Sequence, residues 1–288
     1  MIADSTVAIV GLGLMGGSLA RAVSARGARV LAYDRNATHL EEAMQAGVVT
    51  EVLGHDLAGI EVADIVALAL PVDATCVALP TVARRAAQAR LLMDLASTKR
   101  SVVACAEAAG AGERFVGAHP LAGSHRSGFS AGRACLFTGA RVFLCPTQAT
   151  TPDALRLAEH FWNALDACTE ALDAGVHDDE MAWRSHLPHF VASALACTLD
   201  DAGIPRSTLG PGGRDMTRLA GSSTAMWSAI ATDNAEAITT ALLAYEKKLR
   251  DLRVAIAGRD AGATRSLLDA GREWFEGSRT AEGTETAG

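Results

Sequence analysis

The first half of the chain alternates short apolar runs with segments of helical periodicity. The runs that are typical of buried strands lie at residues 7–10, 30–33, 65–70 and 91–94. The segments between them that show helical spacing cover 16–26, 38–46 and 74–87. Two further strands are predicted at 114–118 and 141–144. This alternation predicts βαβ units and a parallel sheet, because each parallel connection requires a crossover helix.

From about residue 151 the pattern changes to long helical segments rich in Ala and Leu, at 152–165, 178–201, 235–256 and 263–275. We therefore expect an α/β doubly wound domain over 1–150 and an all-α domain over 151–276. Many small residues on these helices favour close packing, as in a dimer interface. Residues 277–288 are mostly Gly, Ser, Thr, Ala and Glu, a composition typical of a disordered tail.

Bulk composition narrows the possible partners and the compartment. The chain has 288 residues and a net charge of −7, whereas proteins that bind nucleic acid or an anionic membrane usually carry an excess of positive charge. No segment resembles a signal peptide or a membrane span, so we expect a cytoplasmic protein. The six cysteines show no CxxC or metal-ligand spacing, and we predict that they are free, mostly buried thiols in a reducing compartment, with no metal site.

A glycine-rich turn after the first strand is the clearest chemical signal. Gly11, Gly13 and Gly16 form G-x-G-x-x-G between a predicted strand and a predicted helix. The first glycine permits the tight turn, the second admits a pyrophosphate, and the third brings helix and strand close together. Asp34 ends the next strand, where a carboxylate can accept hydrogen bonds from ribose hydroxyls. The pattern predicts a Rossmann-type dinucleotide site that favours NAD, and the adjacent Arg35 leaves NADP possible.

Three more residues are expected to line this dinucleotide site. Leu14 and Met15 lie inside the glycine turn, and Pro71 follows the strand at 65–70. All three come after the carboxyl end of a strand, where open α/β sheets bind ligands.

The same rule places Ser97, Thr98 and His119 near the cofactor, because they follow the predicted strands at 91–94 and 114–118. A neutral imidazole is suited to remove a proton from a hydroxyl near pH 7. Ser97 or Thr98 could hydrogen-bond that imidazole or a substrate. We therefore predict that His119 is a general base.

Two clusters interrupt the Ala/Leu background of the second half. His186 and His189 flank Pro188 inside a helical pattern, where proline is tolerated only in a first turn or at a kink. The segment 210–221 is a glycine loop that leads into a helix with Arg214 and Arg218. Guanidinium groups bind carboxylates through paired hydrogen bonds, so this segment is a candidate anion site.

Five blocks of sequence together resemble prephenate/arogenate dehydrogenases. They are GLGLMGGS, DLASTK, GAHPLAGSHRSG, HDDEMAWRSHLPH and GGRDMTRLAGSSTAMW, and the resemblance covers about residues 5–257. It implies a Rossmann domain followed by a helical dimerisation domain, a homodimer, and an active site between the two domains. It also implies oxidative decarboxylation of prephenate to 4-hydroxyphenylpyruvate, in tyrosine biosynthesis, with NAD.

The resemblance also implies roles for individual residues. His119 would accept the proton of the substrate hydroxyl with help from Ser97, and Arg218 would bind a substrate carboxylate. His189 resembles the second active-site histidine of the family. The remaining residues implied to surround the substrate are Ser124, Asp215 and Trp227.

One position departs from the family pattern. Members often carry an acid after HPLAGS, whereas this chain has His125. Without that acid a partner for the ammonium of arogenate is missing, which favours prephenate. Arogenate or a 4-amino analogue stays an alternative with the same chemistry. The alternative from outside the enzymes is a regulator that senses a dinucleotide without turnover. The combination of His119, Ser97 and Arg218 argues against it, since a sensor does not need a base.

Overall fold

The structure is a computed structural model that describes residues 2–123 and 126–285, with side chains as far as residue 277. Ser124 and His125, for which the sequence predicts substrate contacts and substrate preference, lie outside the described residues. The chain divides into two compact units, 1–238 and 239–288.

An eight-stranded sheet is the centre of the first unit. Its strands are β1 (Thr6–Val10), β2 (Arg29–Tyr33), β3 (Glu51–Val52), β4 (Ile65–Leu68), β5 (Leu91–Asp94), β6 (Phe115–Pro120), β7 (Arg141–Pro146) and β8 (Cys168–Ala171). The strand order is β3-β2-β1-β4-β5-β6-β7-β8. Strands β1 to β6 are parallel, β7 is antiparallel to β6, and β8 is parallel to β7. The predicted α/β sheet is confirmed, with its last two strands reversed.

Helices cover both faces of this sheet. They are α1 (Leu14–Ser24), α2 (Ala37–Gln45), α3 (Val72–Arg85), α4 (Arg100–Ala108) and α5 (Pro152–Asn163). Within β1, Val7 and Ile9 pack into one apolar core, and Ala8 and Val10 pack into the other. Since both faces of the sheet are buried, its strands are continuously apolar instead of alternating.

The sheet extends beyond residue 150, where the sequence predicts the helical domain to begin. β8 pairs with β7, and Phe161 and Trp162 of α5 are buried in a core beneath the sheet. α5 therefore covers the sheet instead of belonging to the helical region. A helix at this position agrees with the periodicity, but periodicity does not reveal which surface a helix packs against.

The helical region of the first unit begins after β8. It contains α6 (Ala174–Met181), α7 (Leu187–Asp201), α8 (Pro211–Met216) and α9 (Thr224–Asp233), and it leads into α10 (Ala235–Ala257). A π-helical turn, Ala182–His186, joins α6 to α7, and Pro188 falls in the first turn of α7. The predicted defect around Pro188 is thus a π turn. The predicted glycine loop at 210 is wrong, because Pro211 starts a helix that contains Gly212 and Gly213.

The second unit holds the rest of α10 and α11 (Ala261–Glu285). Helix α11 continues to Glu285, whereas the sequence predicts its last helix to end at 275 and a tail from 277. Several large apolar side chains of this unit are exposed, among them Leu243, Ile256 and Trp274. Within the described ranges, no helix is both long and apolar enough to cross a membrane.

The cysteines differ from the expectation of free, mostly buried thiols. Cys76 of α3 and Cys105 of α4 form a disulfide, with their Cα atoms 5.4 Å apart. Helices α3 and α4 pack side by side, and a separation of 29 residues in sequence could not reveal that neighbourhood. Among the free cysteines Cys145 is buried, whereas Cys135, Cys168 and Cys197 are exposed.

Candidate active site

Candidate residues meet at the edge of the sheet where β1, β4, β5 and β6 end. The glycine turn follows β1, Ser97 follows β5, and His119 lies near the end of β6. β6 is the third strand from β1 along this edge, which corresponds to about 14 Å at the usual spacing of parallel strands. The edge therefore brings the predicted cofactor turn and the predicted base to one side of the molecule.

Two glycines make the turn after β1 sterically possible. Gly11 has a φ of +97°, and a Cβ there would lie 2.5 Å from the carbonyl oxygen of Ala69. A Cβ at Gly16 would lie 1.8 Å from the carbonyl oxygen of Gly11. A side chain at Gly11 would collide with the chain after β4, and a side chain at Gly16 would push α1 away from the turn, which agrees with the roles predicted for a dinucleotide turn.

Gly13, by contrast, faces open space. It is the N-cap of α1 and has extended backbone, and a Cβ placed on it would meet no heavy atom within 4 Å. The first turn of α1 contains no acidic residue, and no side chain caps it. Leu14 and Met15 begin the helix and are half-buried. Free N–H groups at a helix start, with open space in front, fit a pyrophosphate.

The Asp34 carboxylate is fixed at the mouth of this turn. It accepts hydrogen bonds from the backbone N–H groups of Leu12 at 2.6 Å and Asn36 at 2.7 Å, and the Nδ1 atom of His39 lies 3.3 Å away. Among the described residues, the Oδ1 atom has only the N–H group of Asn36 as a partner and can accept a second hydrogen bond, so a ribose hydroxyl could still be bound. Pro71 is exposed at the N-cap of α3, after β4. These residues fit a dinucleotide.

His119 begins a chain of buried hydrogen bonds. Only 8% of the residue is exposed, and its Nδ1 lies 2.9 Å from Nε2 of His177. Nδ1 of His177 lies 2.7 Å from the carboxylate of Asp178. That carboxylate also accepts the backbone N–H groups of Lys99 and Arg100, both at 2.8 Å. The chain therefore joins β6, α6 and the start of α4.

The environment sets the protonation of both ends of this chain. Burial holds the pKa of His119 well below its usual value, and the neighbouring His177, Lys99 and His186 lower it further. Burial opposes ionisation of Asp178, but hydrogen bonds from His177 and the two backbone N–H groups outweigh it and lower the pKa of Asp178. His119 is thus a neutral imidazole near pH 7, and Asp178 is an anion.

A buried ion pair supports the same strand. Lys99 and Asp94 are both fully buried, and the ammonium of Lys99 contacts the Asp94 carboxylate. The ammonium also donates to the carbonyl oxygen of Ala118, at 3.1 Å, directly before His119. Burial raises the pKa of Asp94, and the charge of Lys99 opposes that rise. We call Asp94, Lys99, His119, His177 and Asp178 the buried network.

Ser97 is half-buried in the loop between β5 and α4. In the part of the chain that the structure describes, no hydrogen bond joins Ser97 to His119. The hydroxyl of its neighbour Thr98 is buried without a hydrogen-bond partner. Ser97 therefore lies at the same edge of the sheet as His119, without direct contact to it.

A second group of predicted residues lies on the helical region. The rings of His189 and Trp227 are stacked, with centroids 3.7 Å apart. The hydroxyl of Ser222 lies 3.5 Å from Nδ1 of His189. Burial lowers the pKa of His189, and the charge of nearby Arg218 lowers it further. We call His189, Arg218 and Trp227 the His189 cluster. Asp215, on α8, is exposed.

His186 lies between the buried network and the His189 cluster. Its ring centroid is 5.9 Å from that of Trp227, and its charge contributes to the lowered pKa of His119. Asn234 donates to the backbone carbonyl of Asp178 at 2.7 Å and lies 3.3 Å from Nδ1 of His186. Aromatic rings and hydrogen bonds therefore connect the two groups of predicted site residues within the first unit.

Sequence reasoning missed four members of the buried network: Asp94, Lys99, His177 and Asp178. His177 and Asp178 stand in the HDDEMAWRSHLPH block, but nothing in the sequence distinguishes them, because a His-Asp pair in a polar stretch has the pattern of an exposed helix face. The sequence did contain one signal, the charged residue Lys99. It ends the DLASTK segment, in the loop after a strand that is buried on both faces.

Two family models match consecutive parts of the chain. The model for the nucleotide-binding domain of prephenate dehydrogenase matches residues 19–170, and the model for its dimerization domain matches 173–269. Their division falls at the end of β8, where the sheet ends.

Named relatives agree with these matches. A prephenate dehydrogenase from Bacillus subtilis is 32% identical over 265 residues, which cover 89% of this chain and 71% of the relative. A cyclohexadienyl dehydrogenase from Zymomonas mobilis is 30% identical over 263 residues, covering 88% of this chain and 89% of the relative. The crystal structure of prephenate dehydrogenase from Aquifex aeolicus with hydroxyphenyl propionate and NAD+ has a TM-score of 0.87 and 30% identity, covering 94% of this chain and 97% of that chain. The chain belongs to the prephenate dehydrogenase family.

Proposed function

We propose that this chain catalyses the NAD-dependent oxidative decarboxylation of prephenate to 4-hydroxyphenylpyruvate. The observation that carries this proposal is the buried, neutral imidazole of His119 at the same sheet edge as the glycine turn. Family membership supports it, since the relative from Bacillus subtilis is a prephenate dehydrogenase. The product is an intermediate on the route to tyrosine.

The residues of the glycine turn would hold the cofactor. Gly11, Gly13 and Gly16, with Leu14 and Met15 at the start of α1, offer backbone N–H groups to the pyrophosphate, Pro71 borders the site, and Asp34 accepts the ribose hydroxyls. When bound, NAD+ supplies the acceptor for the hydride that leaves C4 of the substrate ring. The negative charge of Asp34 disfavours the 2′-phosphate of NADP, and Arg35 beside it is the residue that could tolerate one.

His119 accepts the proton of the C4 hydroxyl as the hydride leaves. A base with a pKa near or below the working pH is unprotonated before each turnover and can act at once. Ser97 orients the hydroxyl from the loop before α4. The ring carboxylate then leaves as carbon dioxide, the electron pair of its bond makes the ring aromatic, and the C4 oxygen takes the proton back from His119. The loss of carbon dioxide and the gain of aromaticity make the reaction proceed in one direction.

The His189 cluster binds the carboxylates of the substrate. Arg218 is exposed and forms no ion pair with any described residue, so its charge is available to an anion. A guanidinium can bind a carboxylate through two parallel hydrogen bonds. His189 and Trp227 provide an adjacent polar edge and an aromatic face. We further assign Asp215 and Ser124 to the border of the substrate pocket.

Arogenate is the second candidate substrate, with the same chemistry. The solved arogenate dehydrogenase from Synechocystis is similar to this chain, with a TM-score of 0.80 and 27% identity. Prephenate is favoured because His125 stands where the family often has an acid, which would bind the ammonium of arogenate. A sensor of dinucleotides without turnover is disfavoured, because such a protein has no use for a neutral buried base.

We also propose that the protein is a cytoplasmic homodimer. A dimerization-domain model matches 173–269. The helical region buries few apolar residues of its own, with Ala182, Ile230 and Ile238 as its described core. Exposed apolar side chains on α10 and α11 are the kind of surface that a second copy covers. Light scattering coupled to gel filtration measures the mass, and a monomer at micromolar concentration would contradict the proposal.

The decisive experiment is an assay of purified protein with prephenate and with arogenate, each with NAD+ and with NADP+. We expect kcat/KM to be highest for prephenate with NAD+. A preference for arogenate would reject the argument from His125. The absence of turnover with all four combinations would reject the catalytic function.

A further inference from the structure

We propose that His177 and Asp178 are positioning residues that fix the tautomer of His119, so that its Nε2 atom is the base. This inference rests on the proposed function for its catalytic meaning, but the tautomer itself can be measured without substrate. It is carried by the hydrogen bonds of the buried network.

The direction of each hydrogen bond follows from the acceptor at the end of the chain. The ionised carboxylate of Asp178 can only accept, so Nδ1 of His177, 2.7 Å away, carries a hydrogen. In a neutral imidazole the other nitrogen is then an acceptor, which for His177 is Nε2. Nδ1 of His119, 2.9 Å from that atom, must therefore be the donor. His119 is left with the lone pair on Nε2.

Three features make this arrangement rigid. Asp178 is held by the backbone N–H groups of Lys99 and Arg100, at the start of α4. His177 is fully buried, and its ring packs edge-to-face against Phe143, with centroids 5.5 Å apart. The Asp178 backbone is bound by Asn234. The orientation is thus set by the fold before any ligand enters.

The arrangement has a second consequence, which concerns charge. When His119 takes a proton on Nε2, its ring becomes a cation in a buried site. The Asp178 anion, one imidazole away, stabilises that cation through the hydrogen bonds of His177. The charge of Lys99 is paired with Asp94, and His186 is neutral near pH 7 because burial lowers its pKa to about 4. Asp178 is the anion that hydrogen bonds couple to His119.

The test is Asp178→Asn, with Asp179→Asn as its matched control. The two acids are adjacent, but Asp179 is exposed and pairs with Arg100 at the surface. Both oxygens of Asp178 accept backbone N–H groups, so an amide at 178 has only one accepting oxygen where two are needed. His177 then loses the anionic acceptor that fixes the hydrogen on its Nδ1. We expect kcat to fall by about 10²–10⁴-fold, the usual contribution of a general base, while KM changes less than about threefold. Asp179→Asn should keep kcat within about twofold.

The tautomer is read directly from long-range 15N–1H correlations of protein labelled with 15N-histidine. His119→Asn identifies the signals of His119. For His119, we expect hydrogen on Nδ1 in the wild type and in Asp179→Asn, and a mixture of the two tautomers in Asp178→Asn. His177→Asn removes the link itself and should lower kcat to a similar degree, which provides a second variant if Asp178→Asn does not fold.

Two results would overturn the inference. One is hydrogen on Nε2 of His119 in the wild type. The other is a folded Asp178→Asn or His177→Asn variant with turnover within about threefold of the wild type. If the wild type shows hydrogen on Nδ1 but does not oxidise prephenate, the proposed function fails and the positioning role stands.

Discussion

The buried network and the His189 cluster differ in how completely the protein itself satisfies them. In the network, Lys99 and Asp94 are fully buried and paired, and His119 and His177 are joined to each other. In the cluster, Arg218 is exposed, and no described residue forms an ion pair with it. In the first arrangement the charged groups find their partners within the protein, whereas the second presents a charge that remains available.

This difference matches two different tasks. A base must stand in one orientation before the substrate arrives, because its contribution depends on geometry that is already fixed. A residue that binds a carboxylate can remain solvated, because the ligand supplies the second charge. We therefore expect changes in the network to alter kcat or stability, and changes in the cluster to alter KM.

The largest effect is expected for His119→Asn. Removing the base should lower kcat by about 10²–10⁴-fold, because the hydroxyl proton then has no acceptor as the hydride leaves. KM for prephenate should change little, since carboxylate binding is assigned to Arg218. Steady-state formation of NADH measures both parameters. Turnover near that of the wild type would remove His119 from the catalytic role.

Lys99→Met should have the largest effect on stability. The variant leaves the Asp94 carboxyl buried without its counter-ion, which costs about 3–5 kcal/mol in comparable pairs. The free energy of unfolding in urea is the measurement. Arg100→Met is the matched control, because Arg100 is next in sequence but is exposed at the surface, and it should change stability by less than about 1 kcal/mol.

A double variant sharpens that prediction. Asp94→Asn combined with Lys99→Met removes both charges and should recover part of the stability that Lys99→Met loses. If the double variant loses as much unfolding free energy as the two single variants together, Lys99 stabilises the fold through its packing instead of through its charge.

The sequence predicted the cofactor turn more completely than it predicted the buried network. Gly11, Gly13, Gly16 and Asp34 were proposed as cofactor residues because a dinucleotide turn requires particular residues at fixed spacing. His119 was proposed as the base because it follows a strand. Such features are local in sequence, so a single chain reveals them.

The partners of His119 were not predictable in the same way. His177 lies 58 residues from His119, and Lys99 is 79 residues from Asp178, so their contacts exist only after the helical region packs on the sheet. The same limitation explains why α5 was assigned to the wrong region and why the pairing of Cys76 with Cys105 was missed. Periodicity identifies an element but not its neighbour.

Arg218→Ala tests the other side of the comparison. Loss of a guanidinium that pairs with a bound carboxylate costs about 2 kcal/mol or more, which corresponds to about a 30-fold rise in KM for prephenate. kcat at saturation should stay within a few-fold of the wild type. Arg214→Ala, about one turn earlier, is the comparison variant. An equal rise in KM in both variants would show that the carboxylate is not bound by Arg218 alone.

The smallest effect concerns the dependence of stability on pH through His186, which lies between the two regions. Burial lowers the pKa of His186 to about 4, so the unfolded chain binds its proton more readily than the folded protein. The stability that this imidazole contributes is complete above the unfolded pKa of about 6.5 and is lost as the pH falls towards 4.

Between pH 7 and pH 4.5 the wild type should therefore lose about 2–3 kcal/mol more unfolding free energy than His186→Gln, which cannot take up the proton. All other ionisable groups are the same in the two proteins, so the difference between the two urea-unfolding curves isolates His186. Equal losses in both proteins would mean that His186 takes up its proton in the folded protein at pH 4.5 without cost, and that water reaches the ring beside Trp227.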